Sequence, residues 1–534
     1  MSAVLQLRDL GVQLGGQPRL HGLNLEIGAG EVLGLVGESG SGKSLTGLAI
    51  AGLLPAGAGV RGQVLLEGED LLTLPESAMD ARRGAALGLV FQEPMNALNP
   101  LMTLAQQVAE ALRLHLPLSR GDAAEQAQAA LARVGLEGLG ERHPHELSGG
   151  QRQRGVIAIA MALRPRLLIA DEPTTALDVR TQAQVLALLR ELVQEQGSSL
   201  LLISHDLPLV AGFADRIAVM RQSRLVEQGP ALELLRAPRE PETAALVAAS
   251  ALAVRPAMPV PAGEPLLAAE SLVREVRQVR RGGGLLSRPE VKRLLDGVSL
   301  QIAPGERVGL VGESGCGKST LLRALLALEP LQGGTVTLQG RSFTGAEREL
   351  RRQMQIVFQD PAGSLDPRWR AWELVAEPLA LLDAPLDDTA QRKLACEWLE
   401  RVGLGADAAD RYPHQFSGGQ RQRLAIARAL VLEPALLVLD EAVSALDVSV
   451  RRQILALIDT LCRERGTALL FVTHDLGVVR AATDRLYVMQ AGRIVESGAT
   501  AAVFERPREA YTKELLAATP SLAQALGQGE REAS

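Results

Sequence analysis

The chain has 534 residues, of which 47% are apolar and 22% charged, and this balance predicts several globular domains with substantial cores. An aromatic fraction of only 2% leaves those cores to Leu, Ala, Val and Ile, as suits parallel sheets covered by helices. The net charge of −6 gives no electrostatic footprint for nucleic acid, and the most apolar stretch, 244–254, is too short to cross a bilayer.

The first strong motif is a glycine-rich loop that follows the apolar run 32–36 and opens a helix-like stretch. It has the G-x-x-x-x-G-K-[ST] pattern of a phosphate-cradling loop, and its residues are Gly37, Glu38, Ser39, Gly40, Ser41, Gly42, Lys43 and Ser44. In such loops, backbone N–H groups converge on phosphates at a helix N-terminus. We expect Lys43 to reach the β- and γ-phosphates and Ser44 to offer its hydroxyl to Mg²⁺. The alternative is a glycine-rich turn without a chemical role.

Further motifs follow in the first half. They are Gln92 in a Phe-Gln-Glu-Pro segment, the tetrapeptide Ser148, Gly149, Gly150 and Gln151, the acid pair Asp171 and Glu172 after the apolar run 167–170, and His205 after the apolar run 200–203. An acid pair that follows a buried parallel strand lies at the sheet edge where such folds bind ligands. Each residue also has an ordinary alternative, which is a solvated acid pair, a structural histidine or a polar loop glutamine.

The whole first half returns in the second half, in the same order. The second copies are the loop Gly312, Glu313, Ser314, Gly315, Cys316, Gly317, Lys318 and Ser319 with Thr320 after it, then Gln359, then Ser417, Gly418, Gly419 and Gln420, then Asp440 and Glu441, and finally His474. From the tetrapeptide to the histidine, the offset between the copies is constant. This indicates duplicated domains rather than a short-period solenoid.

The ordered motifs of each half resemble those of the nucleotide-binding domains of ATP-binding cassette (ABC) proteins. The Ser-Gly-Gly-Gln signature is the specific mark, because ordinary P-loop ATPases lack it, and the resemblance covers nearly the whole chain. It implies an α/β fold with two tandem P-loop NTPase domains, each with a mainly parallel sheet core, an antiparallel β region and a helical subdomain. It also implies ATP and Mg²⁺ as ligands and ATP hydrolysis as the reaction.

The resemblance assigns a role to each motif. Glu172 would orient or deprotonate the attacking water, and Asp171 would hold Mg²⁺ through water. His205 would contact the γ-phosphate, and Gln92 would sense both the metal and that phosphate. The counterparts with the same roles are Glu441, Asp440, His474 and Gln359, and the metal-contacting hydroxyls are those of Ser44 and Ser319.

The signature implies composite sites, because in this family it caps the γ-phosphate of the ATP that the opposite domain holds. The first loop would therefore work with Ser417 and the second with Ser148. Asp178 and Asp447, each in an Ala-Leu-Asp segment, would cross the interface. Both halves keep the glutamate, the histidine and an intact signature, so two competent ATPase sites are expected.

The sequence also bears on the cysteines and on the residue expected to stack on adenine. Cys316, Cys396 and Cys462 lie far apart and offer neither a disulfide framework nor a zinc pattern, which fits a reducing cytoplasm. Cys316 is either a tolerated small residue of its loop or a place where a thiol reagent blocks nucleotide. Where the family stacks an aromatic side chain on adenine, this chain has Leu14 and Val276.

The predicted domains are residues 1–250 and 266–534, joined by a Pro-rich linker at 251–265. Between the glutamine and the signature, segments 95–164 and 362–431 are rich in Ala, Leu, Glu and Arg at helical spacing, which fits the family's helical subdomain. A basic, Gly-rich insertion at 280–284 is predicted to be a loop.

Secondary signals point to a subfamily. The segments Gln-Glu-Pro-Met-Asn-Ala-Leu-Asn-Pro and Asp-Glu-Pro-Thr-Thr-Ala-Leu-Asp-Val closely resemble those of bacterial oligopeptide, dipeptide and nickel importer ATPases. The segment 507–516 is similar to the subfamily's Pro-x-x-x-Tyr-Thr-x-x-Leu-Leu extension, and a weaker copy after the first domain has Glu242 in place of Tyr. The chain looks like two such ATPases joined, as in fused peptide and microcin-type importers. Some members bind an iron–sulfur cluster through C-terminal cysteines, but no cysteine follows Cys462, so none is expected.

The resemblance implies the motor of a bacterial importer. ATP would close the two halves and hydrolysis would reopen them, driving two integral-membrane permease subunits docked beside Gln92 and Gln359. A periplasmic or lipid-anchored binding protein would deliver the solute, and the chain would lie peripherally on the cytoplasmic side of the inner membrane. Substrate contacts lie in the permeases, so peptides, nickel, opines, glutathione and a peptide antibiotic all stay open.

The alternative is a soluble tandem ABC ATPase that acts on ribosomes or DNA. The translation-associated class usually has a long charged linker, whereas the linker here is short and Pro-rich. The DNA-repair class needs zinc modules or a long coiled coil, and the sequence has neither pattern. No nucleic-acid partner is therefore expected.

Overall fold

A computed structural model describes residues 3–526, apart from gaps at 176, 251–254, 256–262, 279–289, 344, 346, 445 and 523. The chain divides into two compact units, Met1–Ala251 with Asp447–Ser449 and Pro520–Ser534, and Leu252–Leu446 with Val450–Thr519. Most of the predicted linker and the predicted 280–284 insertion lie outside the described residues. The predicted domain boundaries therefore stay a prediction.

The first unit alternates strands and helices along most of its length. Its elements are β1 (Ala3–Leu14), β2 (Gln17–Gly28), β3 (Val32–Gly37), α1 (Lys43–Ile50), β4 (Gly59–Leu66), β5 (Glu69–Asp70), α2 (Glu76–Arg82), β6 (Leu87–Val90), α3 (Pro94–Ala97), α4 (Leu104–His115), α5 (Arg120–Arg133), α6 (Gly149–Met161), β7 (Leu167–Asp171), α7 (Val179–Gln196), β8 (Ser199–Ser204), α8 (Leu207–Ala211), β9 (Arg216–Arg221), β10 (Arg224–Pro230), α9 (Ala231–Arg236) and α10 (Pro241–Ser250).

The second unit repeats this order. Its elements are β11 (Leu267–Gln278), β12 (Glu290–Ile302), β13 (Arg307–Val311), α11 (Lys318–Leu325), β14 (Gly333–Leu338), β15 (Arg341–Ser342), α12 (Arg348–Gln353), β16 (Met354–Val357), α13 (Pro361–Ser364), α14 (Ala371–Ala376), α15 (Asp388–Arg401), α16 (Gly418–Leu430), β17 (Leu436–Asp440), α17 (Val448–Arg465), β18 (Ala468–Val472), α18 (Leu476–Ala482), β19 (Arg485–Gln490), β20 (Arg493–Ala499), α19 (Thr500–Glu505) and α20 (Ala510–Ala517).

Each unit contains two sheets. In the first unit, an antiparallel sheet has the order β2-β1-β4-β5, and a six-stranded sheet has the order β10-β9-β3-β8-β7-β6. Within the larger sheet, β9, β3, β8, β7 and β6 are parallel and β10 is antiparallel to β9. The second unit has the matching orders β12-β11-β14-β15 and β20-β19-β13-β18-β17-β16. The predicted α/β class, with a mainly parallel core and an antiparallel β region, is confirmed.

The core explains why the central strands have uninterrupted apolar sequences. Side chains alternate between the two faces of a strand, and both faces of β3 are covered. Leu33 and Leu35 pack in a cluster with the antiparallel sheet. Val32 and Val36 pack in a second cluster with α4 to α7. In the part of the chain that the structure describes, no helix is long and apolar enough to cross a membrane.

Candidate functional site

The predicted site residues follow the ends of parallel strands in the larger sheet. In the first unit, β3 leads into the loop at 37–44, β6 precedes Gln92, β7 ends at Asp171 and β8 precedes His205. The carboxyl ends of parallel strands lie at one edge of a sheet. The fold thus brings together motifs that are far apart along the chain, and the second unit repeats the arrangement.

Glycines shape the loop before α1 and the loop before α11. Gly42 and Gly317, which cap these helices, have φ angles of 96° and 113°, in the region that favours glycine. A Cβ on Gly37 would lie 2.2 Å from the backbone oxygen of Met220 in β9. Gly312 has a backbone oxygen of β19 at the same distance. Each loop therefore lies directly against the neighbouring strand.

The lysine of each loop is held by the loop itself. The Nζ of Lys43 donates to the backbone carbonyls of Gly37 and Glu38, at 2.8 and 2.9 Å. Lys318 makes the equivalent two bonds, at 2.7 and 2.9 Å. Burial lowers the pKa of Lys43 against the attraction of nearby carboxylates, of which Glu172 has the largest effect. The ammonium group is thus fixed within the loop.

Glu172 is the centre of the hydrogen-bond network in the first unit. Its Oε1 lies 2.9 Å from Nδ1 of His205, and its Oε2 accepts from Nε2 of Gln92 at 3.0 Å and from Oγ1 of Thr175 at 2.9 Å. Burial raises the pKa of Glu172, but the bonds and charge of His205, the Thr175 bond and the charge of Lys43 outweigh burial and lower it. The carboxylate is therefore ionised at neutral pH, as a general base requires.

Glu441 has a similar but not identical network. Its Oε1 lies 3.2 Å from Nδ1 of His474, and its Oε2 accepts from Nε2 of Gln359 at 2.8 Å. Burial raises the pKa of Glu441, but the hydrogen bond and charge of His474 lower it below the usual value. Ser444, in the place of Thr175, donates its hydroxyl to the backbone carbonyl of Glu441 at 2.8 Å. Sequence reasoning missed Thr175, although a hydroxyl three residues after each glutamate was the available signal.

Both glutamates have an unusual backbone conformation. Glu172 and Glu441 each have a φ angle of 47°, in the left-handed region that side chains other than glycine rarely adopt. Their N–H groups donate to backbone oxygens near the ends of the adjacent strands. The acceptors are the carbonyls of Ile203 in β8 and Val472 in β18, at 2.9 and 2.7 Å. The chain therefore turns sharply at the strand end, where strained residues commonly mark functional sites.

Asp171 has the properties of a ligand for a hard cation. Its Oδ1 is buried and has no hydrogen-bond partner among the described residues. Burial raises the pKa of Asp171, and a hydrogen bond from Ser44 opposes the rise. In the second unit, burial and then the charge of Glu441 raise the pKa of Asp440. An unpaired buried carboxylate oxygen beside a serine hydroxyl fits Mg²⁺, which prefers oxygen ligands.

The signature residues cap helices of their own unit. Ser148 Oγ accepts from the N–H of Gln151 at 3.3 Å, and the Ser148 N–H donates to Oε1 of Gln151 at 2.9 Å. Ser417 and Gln420 form the same capping box at 3.4 and 2.9 Å. Both serines are exposed. Their predicted contact with a γ-phosphate stays a prediction.

The second signature glycine has a packing role that sequence reasoning missed. A Cβ on Gly150 would lie 2.3 Å from Cγ2 of Thr181, and one on Gly419 would lie 2.8 Å from Cγ1 of Val450. These positions are in α6 and α7, and in α16 and α17. The absence of a side chain lets each signature helix approach the helix that follows the acidic strand.

The other predicted residues take more ordinary places. Asp178 caps α7, with Oδ1 accepting from the N–H of Thr181 at 3.0 Å. Asp447 immediately precedes α17 and groups with the first unit. Burial raises the pKa of the Cys316 thiol. All three cysteines are free thiols. Leu14 ends β1 and is partly buried, as is Val276 in β11.

Family models match both halves of the chain. The ABC transporter model matches residues 20–175 and 295–444, and the model of the oligopeptide/dipeptide transporter C-terminal region matches residues 495–533. The peptidoglycan transport ATP-binding protein YejF of Agrobacterium fabrum is 43% identical over 535 residues, which cover 96% of each chain. The glutathione import ATP-binding protein GsiA of Salmonella typhimurium is 42% identical over 539 residues, 94% of this chain and 86% of that one. The dimeric ATP-binding cassette MJ0796, bound to ADP and Pi, is 29% identical, covers 44% of this chain and 98% of its own, and has a TM-score of 0.39.

Proposed function

The chain belongs to the ABC transporter family as an importer ATPase, and we propose from this premise that both of its units bind and hydrolyse ATP. The observation that carries the proposal is the network around Glu172 and Glu441. In each unit an ionised carboxylate accepts a hydrogen bond from the predicted glutamine and lies within hydrogen-bond distance of the predicted histidine. Two complete networks support two working sites.

Each glutamate acts as the base of an in-line displacement. The carboxylate of Glu172 takes a proton from water while the water oxygen attacks the γ-phosphorus, and the bond to the β-phosphate oxygen breaks to release ADP. The loop N–H groups and Lys43 hold the phosphates throughout. His205 and Gln92 keep the carboxylate in one orientation, because both contact its oxygens.

The donor set of each unit fits Mg²⁺. When bound, this ion neutralises negative charge on the phosphate oxygens. The buried, unpaired Oδ1 of Asp171 is the support for its position. The residues that would hold it are Ser44, Gln92 and Asp171 in the first unit and Ser319, Gln359 and Asp440 in the second.

We place the signature of each unit on the ATP of the other unit. The exposed serines Ser148 and Ser417 stand at the N-termini of α6 and α16, where backbone N–H groups favour an anion. Asp178 and Asp447 would lie at the interface. In this arrangement ATP closes the two units, and hydrolysis with loss of phosphate reopens them.

The partners in this proposal are two integral-membrane permease subunits and a solute-binding protein outside the membrane. Apolar side chains beside the glutamine loops support permease docking, since exposed apolar patches mark interaction sites. Phe91 is 40% exposed and Met95 44% exposed in the first unit, and Phe358 is 45% exposed in the second. Phe358 also lines an open cavity of about 440 Å³ with Leu328. The chain would then lie peripherally on the cytoplasmic face of the membrane.

We assign the transported solute to the peptide-like class. The match to the oligopeptide/dipeptide transporter C-terminal region supports this class, as do relatives that transport peptidoglycan and import glutathione. The comparisons give no support to the alternative that acts on ribosomes or DNA.

The proposal is tested by purification from membranes of a tagged chain that carries Glu172→Gln and Glu441→Gln. These changes are expected to trap ATP, so the closed complex is expected to retain its partners, which mass spectrometry then identifies. The matched control carries Lys43→Ala and Lys318→Ala and should not retain them in an ATP-dependent way. Recovery of two multi-span permeases supports the importer, and their genes narrow the solute. Recovery of ribosomes or DNA without a permease contradicts it.

A further inference from the structure

The C-terminal extension contacts the phosphate loop of the second unit. The hydroxyl oxygen of Tyr511, in α20, accepts a hydrogen bond from the backbone N–H of Glu313 at 3.0 Å, across 198 positions of sequence. The Tyr511 ring is 6% exposed and packs in a cluster with Val311 of β13 and Val488 of β19. A residue of the extension is thus part of the wall behind the loop.

This contact is linked by hydrogen bonds to the lysine of the second phosphate loop, Lys318. The Glu313 N–H that Tyr511 binds shares its peptide group with the Gly312 carbonyl. That carbonyl and the Glu313 carbonyl both accept from Lys318 Nζ, at 2.7 and 2.9 Å. Loss of the tyrosine hydroxyl would remove the hydrogen bond that holds the Glu313 N–H. The loop and its lysine would then lose part of their preorganisation for phosphate.

The first unit keeps the docking of the extension but lacks the tyrosine. In the second unit, the Glu496 carboxylate of β20 accepts from the N–H groups of Arg508 and Glu509 at 2.9 and 3.2 Å. In the first unit, Glu227 of β10 accepts from the two residues before α10 at 3.0 and 3.2 Å. The backbone before each short helix is therefore anchored in the same way, so the difference lies in the side chain that faces the loop.

Glu242 takes the place of Tyr511 in the first unit. Its carboxylate pairs with Arg221 at 3.5 Å. A cavity of about 80 Å³ lies beside it and is lined by Gly37 and Glu38 of the phosphate loop. The first unit thus has an ion pair of Glu242 and Arg221 where the second unit has the neutral side chains of Tyr511 and Gln490, so it lacks the phenol hydroxyl that bonds to the second loop.

We propose that Tyr511 is a positioning residue for the second phosphate loop, and that it makes the second site bind nucleotide more tightly than the first. The chain then has two similar ATPase sites that differ in affinity. The C-terminal extension makes the second site the high-affinity one, and the first site stays the low-affinity one. This inference rests on the proposed binding of ATP at both loops.

The test compares nucleotide affinity at one loop at a time. Lys43→Ala leaves only the second loop competent, and Lys318→Ala leaves only the first. We expect Tyr511→Phe to weaken equilibrium binding of MgATP by about threefold to tenfold in the Lys43→Ala chain, as for the loss of one hydrogen bond. In the Lys318→Ala chain the same change is expected to leave affinity unaltered.

A reciprocal change tests the same idea as a gain. In the Lys318→Ala chain, Glu242→Tyr is expected to tighten MgATP binding by about twofold to fivefold, since position 242 matches that of Tyr511 and lines the cavity beside the first loop. Glu242→Gln is the matched control, because it removes the charge without adding a ring or hydroxyl. The positioning role requires that Glu242→Tyr tighten MgATP binding more than Glu242→Gln does.

The outcomes separate the inference from the function on which it rests. If neither parent chain binds MgATP, the proposed ATP sites fail and the inference fails with them. If both parents bind and Tyr511→Phe weakens both sites or neither, the positioning role is overturned while the ATP sites stand. Unchanged thermal unfolding of Tyr511→Phe, which keeps the buried ring, shows that a selective loss is not a loss of fold.

Discussion

The two proposed ATPase sites of this chain have the same candidate reacting groups, but the hydroxyl groups beside them make different hydrogen bonds. Glu172 and Glu441 each have a histidine and a glutamine on their carboxylates, but Thr175 donates to the first carboxylate while Ser444 donates to a backbone carbonyl. The two copies agree in the residues that are proposed to take part in the reaction. They differ in the residues that contact those groups, because several side chains satisfy the same geometry there.

The largest expected effect tests whether the reacting groups are equivalent. Glutamine keeps the shape of glutamate but cannot accept the proton from water. We expect the double variant Glu172→Gln and Glu441→Gln to lose about 10²- to 10⁴-fold of its phosphate-release rate. The two single variants should show similar residual rates in the same steady-state assay at saturating MgATP, where the proposed difference in affinity does not affect the rate.

Glu125→Gln, on the exposed surface of α5, is the control for a lost carboxylate. A strong disparity between the two single variants would break the equivalence and leave only one site as the working ATPase.

The next effect concerns the packing of the two signature helices. Gly150→Ala places a methyl group 2.3 Å from Thr181, so we expect it to destabilise the chain by about 1–3 kcal/mol. Gly419→Ala, with 2.8 Å to Val450, should cost less. Urea unfolding with the midpoint as readout measures both.

Gly149→Ala is the matched control, because its new methyl would lie 3.5 Å from Leu177, at ordinary contact distance, in the same helix turn. The helix-favouring effect of alanine, up to about 1 kcal/mol, is common to both changes. Equal midpoints for Gly150→Ala and Gly149→Ala would disprove the close-approach argument.

A smaller effect separates the hydroxyls beside the two glutamates. Thr175→Val removes a bond to the Glu172 carboxylate, and we expect hydrolysis at the first site to fall about threefold to tenfold. Ser444→Ala removes a bond to a backbone oxygen and should change the second site less than about twofold. Single-turnover hydrolysis measures the first site in Glu441→Gln chains and the second in Glu172→Gln chains.

Comparable losses from the two changes would show that the hydroxyls act in the same way. The difference between the carboxylate and backbone contacts would then have no catalytic meaning.

The smallest effect concerns the loops, which differ in Ser41 and Cys316. Burial raises the pKa of Cys316, and burial raises the pKa of Cys462 to about 12, so few thiolates are available for alkylation. We expect iodoacetamide to label the half-buried Cys396 first, as followed by peptide mass spectrometry over time. Cys316→Ser, which restores the residue of the first loop, should keep MgATP affinity within about twofold. Faster labelling of Cys316 than of Cys396 would contradict this view.

The sequence was sufficient to predict the sheets and the sheet edge at which most of the candidate site residues lie. The apolar runs before Asp171 and His205 are uninterrupted because both faces of β7 and β8 are covered, and this pattern predicts buried parallel strands. Once such strands are recognised, their carboxyl ends must meet at one edge, so the acid pair, the histidine and the loop are predictable together.

The hydrogen bonds that hold the glutamates and the second phosphate loop were not predictable from sequence, for physical reasons. Thr175 and Ser444 have the same spacing from their glutamates, yet their hydroxyls donate to different acceptors. The extra methyl group of threonine restricts its rotamers. Spacing along the sequence alone therefore does not predict the acceptor. The bond between Tyr511 and Glu313 spans 198 positions and depends on how the extension docks. The sequence indicates the tyrosine as part of a subfamily motif, but it does not indicate the donor that its hydroxyl oxygen binds, the Glu313 N–H.

The left-handed backbone at Glu172 and Glu441 sets stability against turnover. A side chain in this region costs about 1–3 kcal/mol, and glycine would relieve it. Replacement of either glutamate by glycine would relieve this backbone strain, but it would also remove the hydrogen bonds on the carboxylate and the proposed base of that site. Relief of strain and turnover oppose each other at these two positions, so a variant of this chain that is selected for thermal stability must be screened for turnover at the same time.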